Sequence, residues 1–165
     1  MKLVTYLQNV TESEGDYIVE VIEYFRRPSA KGSPTIHARL QILARWQGRW
    51  TDDKHGQLVT KPFPLRGPGV QWTADLLRAV GQDEVDLDPD DDLAISYAIA
   101  RRPFCARLKL SAPVRKHDGT GDRRFINVVQ LRQIEWGTMT DLPEHVLNRP
   151  LCTRSVCVAD PRRTR

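Results

Sequence analysis

Cations at alternate positions along a strand, with aromatic rings close by, can hold a nucleic-acid chain: the cations track phosphates and the rings stack on bases. Residues 101–132, RRPFCARLKLSAPVRKHDGTGDRRFINVVQLR, concentrate the cations. They contain nine Lys/Arg against two acids, Asp118 and Asp122, a net +7 in a chain whose total is +4. The cations that could follow phosphates are Arg39, Arg45, Arg107, Lys109, Arg115, Lys116, Arg123, Arg124 and Arg132. Trp46 and Trp50, which flank Gly48-Arg49 in a loop-like segment, are the stacking candidates, with Tyr24, Phe25, Phe125 and Trp136 as further rings. Any single aromatic is more often core than platform, so the combination of basic strand faces with several rings carries the reading. A plainer account is a sheet whose solvent face happens to be basic.

Other chemistry is weaker. Asp86, Asp88 and Asp90 have the spacing of the first ligands of a calcium loop, but Asp91 stands where that loop needs Gly and Tyr97 where it needs Glu. Glu144, His145, Cys152 and Cys157 lack the tight spacing of a zinc site. Glu20, Glu23 and Asp52-Asp53 could in principle hold magnesium for a nuclease, yet no strand signature accompanies them. No Gly-x-Ser-x-Gly, phosphate-binding loop or His-Glu-x-x-His occurs. The chain is therefore expected to be no enzyme and to need no metal or cofactor. Cys105, on a strand, is expected to be inert, and three cysteines make no disulfide framework.

The elements that must position the cations read mostly as strands. YIVEVIEYF (17–25) is rich in β-branched and aromatic residues, and TIHARLQILARW (35–46) alternates. In the latter Ile36, Ala38, Leu40, Ile42 and Ala44 share one parity, and His37, Arg39, Gln41, Leu43 and Arg45 the other. RRPSAKGSP between them is a turn cluster. A third strand is expected near 57–63, confined to an edge by Pro62 and Pro64. The spacing of Trp72, Leu76, Leu77 and Val80 predicts a helix over 70–80, stopped by Gly81. After an acidic run, Asp88 and Pro89 suggest an N-cap and first turn, with Asp90, Asp91 and Asp92 favoured by the helix dipole. Leu93, Ala94, Tyr97 and Ala100 give that helix its apolar face, Arg101 and Arg102 its basic C-terminal end, and Pro103 its stop. In the strand that follows, Phe104, Ala106, Leu108 and Leu110 point inward and Cys105, Arg107, Lys109 and Ser111 outward. The turn HDGTG leads into a pairing strand from Arg123 to about Trp136.

This order suggests a mainly β fold with a helical insertion: a five-stranded OB-fold-like barrel, helices between the third and fourth strands, and a C-terminal basic hairpin. Other α+β sheets have the same order. The chain also resembles a widespread family of small phage proteins found in recombination and replication modules. The similar features are Gly15-Asp16-Tyr17, Lys31-Gly32, Ala38-Arg39-Leu40-Gln41-Ile42-Leu43, Leu76-Leu77-Arg78-Ala79-Val80-Gly81 with the acidic linker after it, and Arg102-Pro103-Phe104-Cys105-Ala106-Arg107-Leu108-Lys109. The resemblance covers roughly residues 15–135. It implies an OB-type fold and single-stranded-DNA binding; the long 49–69 connection and the Arg-rich tail depart from the family's pattern.

Residues 1–137 are thus expected to form a single OB-like domain, and 138–165 an extended, partly disordered tail. No apolar run approaches the ~20 residues of a membrane span, and the first residues lack the apolar stretch of a signal peptide, so the expected location is cytoplasmic. The expected partner is single-stranded DNA, with RNA accepted by the same contacts; a homo-oligomer and contacts with replication or recombination proteins are compatible with this. The alternative is a protein-interaction or assembly module whose basic hairpin meets an acidic partner.

Overall fold

The computed structural model describes residues 14–82, 88, 90–110, 114–115, 122–123, 126–135 and 142–147. The fold is mainly β: one six-stranded antiparallel sheet, a two-stranded ribbon and a few short helices. In chain order these are β1 (Gly15–Arg26), β2 (Thr35–Trp46), β3 (Trp50–Thr51), β4 (Leu58–Pro64), α1 (Val70–Ala79), α2 (Asp92–Ile99), β5 (Phe104–Leu110), β6 (Val114–Arg115), β7 (Asp122–Arg123), β8 (Ile126–Arg132) and α3 (Glu144–Leu147). Across the sheet the order is β3-β2-β1-β5-β8, with β4 on the same edge of β2 as β3.

β1 is central. It pairs with β2 from Tyr17 to Arg26 and with β5 only from Gly15 to Val19. Both of its faces are covered near its start. Tyr17, Val19 and Val21 enter the main core, and Ile18 enters a second cluster on the opposite face. This explains why residues 17–21 show so little polar alternation.

The main core joins alternate residues of β1, β2, β4, β5 and β8 to α1 and α2. α1 ends one residue earlier than the spacing predicts. Gly81, at φ 82°, closes it: the amides of Gly81 and Gln82 donate to the carbonyls of Arg78 (3.0 Å) and Leu77 (2.7 Å), satisfying two of the helix's terminal acceptors. At the other end Gly69 has φ 85°, and a Cβ there would lie 3.1 Å from Pro64 Cγ. Lys61 Nζ lies 3.7 Å over the Trp72 ring, which joins β4 to α1, and burial lowers its pKa.

The expected five-stranded OB-fold-like barrel is not closed in the structure. Among the described residues β4 and β8 form no pair, and α1 packs against both strands instead. β4 is an edge strand ending in Pro62 and Pro64, neither of which has an amide to donate. A sixth strand, β3, arises because Trp50 and Thr51 pair back on Trp46 and Arg45.

α2 begins later than Asp88–Pro89. Asp91 is the N-cap and accepts from the Ala94 amide at 3.0 Å, while Asp88 accepts from the Asp90 amide at 2.9 Å in a separate turn. Of several nearby carboxylates able to cap, Asp91 is the one used. The buried face is Ile95, Ala98 and Ile99, while Leu93 and Tyr97 are exposed, contrary to the expected face. Arg101 and Arg102 lie beyond the helix. Arg101, at φ 59°, donates its amide to Val21 O at 2.9 Å and an Nη1–H to the buried Glu20 at 3.3 Å, pinning the α2–β5 junction to β1.

The second cluster holds Ile18, Leu43, Ala44, Trp50, Cys105, Ile134, Leu142 and Val146. Within the segment expected to be extended, residues 142–147 therefore pack on the sheet. Val146 is fully buried, His145 Nε2 bonds to the Leu43 carbonyl, and the His145 ring stacks on His55 at 4.1 Å. The rest of 138–165 lies outside the described residues.

Candidate nucleic-acid interface

Alternation along β5 decides which side its cations take. Phe104, Ala106 and Leu108 are buried in the main core, so Arg107 and Lys109 project from the opposite, outer face. Across the β5–β8 pair, Gln130 faces Arg107, Asn127 faces Lys109 and Arg132 faces Cys105. On the other side Asp16 of β1 faces Arg107. Its carboxylate accepts two hydrogen bonds from Arg107, at 2.9 and 3.2 Å, and lies 3.7 Å from Arg132 Nη2. The Arg107 bond holds the Asp16 carboxyl below the usual value against the opposing effect of burial, and raises the Arg107 pKa in turn. One carboxylate thus orients two guanidinium groups from neighbouring strands on an open face.

The other predicted cations divide. Arg39 is on the outer face of β2 and half-exposed, 3.1 Å from Glu23 across the β1–β2 pair. Arg45 is not on that face. A bulge opposite Ile18/Val19 puts both Leu43 and Ala44 in the second cluster and turns Arg45 to the other side, across from Tyr17. There it lies 3.2 Å from Asp53, within a turn network in which Thr51 (2.9 Å) and Gln47 (2.8 Å) also donate to Asp53. Burial opposes ionisation of Asp53, and those bonds with the charge of Arg45 outweigh it, leaving its pKa lowered. Arg115 and Arg123 lie on the β6–β7 ribbon, and Lys116 and Arg124 lie outside the described residues.

The two tryptophans part company. Trp46 is 47% exposed and meets Trp50 edge-on at 5.3 Å, but Trp50 is only 7% exposed and belongs to the second cluster. Trp50 therefore has no open face for a base, which corrects its assignment as a platform. Phe125 and Trp136 lie outside the described residues. Phe25, a lesser candidate, is 42% exposed and stacks on His37 with centroids 5.2 Å apart and planes 9° from parallel. Strand register brings these rings together, and only the parity of His37 hinted at it.

The acids considered for magnesium face cations instead: Glu20 with Arg101, Glu23 with Arg39 and Asp53 with Arg45. Cys105 is buried, which pushes its thiol up to about 11 and keeps it protonated and unreactive at neutral pH. Cys152 and Cys157 lie outside the described residues. Among the described residues no helix is long and apolar enough to cross a membrane.

Compared with models of known protein families and with curated proteins, the chain finds no match.

Proposed function

We propose that this protein binds single-stranded nucleic acid, DNA foremost, in replication or recombination, and does so without catalysing a reaction. The observation that carries the reading is the convergence of Arg107, Lys109 and Arg132 on the open outer face of β5 and β8. Those strands lead directly into residues 111–125, which add Arg115, Lys116, Arg123 and Arg124 with Asp118 and Asp122 as the sole acids. Cations along a sheet face neutralise a phosphate chain in a way any sequence satisfies.

The strand order adds support. Read as β4-β2-β1-β5-β8, with helices inserted between β4 and β5, it is compatible with an OB-fold opened along the β4–β8 seam. That fold is a recurrent binder of oligonucleotides. The resemblance to small phage recombination-module proteins points the same way.

The test is a titration with a single-stranded oligonucleotide and its duplex, following tryptophan fluorescence at two salt concentrations. The expected result is quenching that prefers the single strand and weakens steeply with salt as counterion release is lost. Absence of binding to either at low salt would reject the reading and turn attention to an acidic protein partner.

A further inference from the structure

Phe25 stands on the outer face where the sheet is narrowest. β5 leaves β1 at Val19, and a bridge from Ala100 to Val21 covers the next stretch, so among the described residues the end of β1 has β2 alone beside it. The register there places Phe25 opposite His37 and His37 opposite Pro62, a row of two aromatic rings and a proline across β1, β2 and β4. The next row is Glu23, Arg39 and Thr60, and the adjoining turn exposes Arg27 and Lys31. His37 holds the inner side of the Phe25 ring parallel, while the ring keeps 42% of its surface open. A ring fixed from behind and open in front loses little entropy when a second flat ring lies on it.

We propose that Phe25, backed by His37, is the seat of an unpaired nucleobase of a bound single strand. The proposal rests on the single-strand reading above. Ring stacking accounts for sequence tolerance, and the Arg39–Glu23 pair fixes the neighbouring row without adding net charge.

The experiment compares Phe25→Ala and Phe25→Leu with the wild-type chain on two probes: oligodeoxythymidine, and an oligomer of equal length whose bases are replaced by abasic residues. Leu keeps an apolar side chain of moderate size at this site, so one variant remains informative if the other folds poorly. The expected result is about tenfold weaker binding of oligodeoxythymidine by both variants and unchanged binding of the abasic oligomer, with Phe25→Trp restoring the affinity. Equal loss on both probes, or no loss on either, would overturn the platform while leaving the single-strand reading standing. Failure of the wild-type chain to bind either probe would remove both.

Discussion

The outer face of this sheet has two halves built from similar residues and put to different use. Around Ile18, the side chains of Leu43, Cys105 and Trp50 lie beneath α3 and are closed off from water, with Arg107 and Arg132 exposed at the rim of this covered part. Toward the end of β1, Phe25, His37 and Arg39 lie under nothing described. Trp50 in the first half belongs to the structure, and Phe25 in the second is available to a ligand. Type and spacing alone do not separate Trp50 from Phe25; the element laid over each does.

Replacement in the two halves should therefore differ most in stability. Ile18→Ala removes a fully buried side chain from β1 and should cost about 2–5 kcal/mol in urea unfolding, through lost burial and the cavity left behind. Phe25→Ala should cost about 1 kcal/mol or less, because half of that ring already meets water. A comparable loss at both positions would erase the distinction between the halves.

Next in size is the effect of the basic face on binding. Arg107→Glu with Lys109→Glu should weaken single-strand binding about ten- to hundredfold at low salt and lower the log–log salt slope by about 2. Both side chains are exposed, so the fold should survive, with a modest fall in the unfolding midpoint because Glu at position 107 would face Asp16. An unchanged affinity in the folded double variant would remove the site from β5.

Much of this architecture is legible in the residues. β1, β2, β4, β5, β8 and α1 follow from alternation, helical spacing and the Gly81 stop, because each is a local pattern against a single buried face. What escapes is set by tertiary pairing. The bulge that puts Leu43 and Ala44 in one cluster inserts a single residue, and that residue transfers Arg45 from the expected face to the other. β3 exists because Trp50 and Thr51 find partners on β2, and α3 because Val146 finds the back of the sheet. The candidate site divided along the same line. Arg107 and Lys109 were recognisable from parity, whereas Arg132 reaches the outer face through a bulge in β8, Trp50 and Arg45 were misplaced, and the Phe25–His37 stack depended on register.

Asp16 sharpens the comparison through pH. Its carboxyl titrates below the ordinary value near 3.8 because Arg107 bonds the charged form. A folded pKa lying below the unfolded one contributes stability that is full above about pH 5 and is lost as pH falls through the folded value. Asp16→Asn should therefore cost about 1 kcal/mol or less at neutral pH, the pair being partly open to solvent, and the gap to the wild-type chain should close as pH falls through the lowered folded value. A gap that stayed constant with pH would mean the amide disturbs packing and the ion pair contributes nothing.

The smallest effect is expected at Arg45, and it separates an arginine that serves the fold from one that serves a ligand. Arg45 and Arg107 each face one aspartate at hydrogen-bonding distance. Arg107 does so on the open face with Lys109 two residues on and Arg132 at the same carboxylate. Arg45 does so in the β2–β3 turn, on the other side of the strand, where Thr51 and Gln47 also donate to Asp53. Arg45→Gln should leave single-strand affinity within about twofold and cost about 1 kcal/mol or less in unfolding. Arg107→Gln should weaken binding and lower the salt slope by about 1. If the two substitutions weakened binding alike, charge anywhere on the molecule would suffice, and the division of the outer face would have no bearing on what it holds.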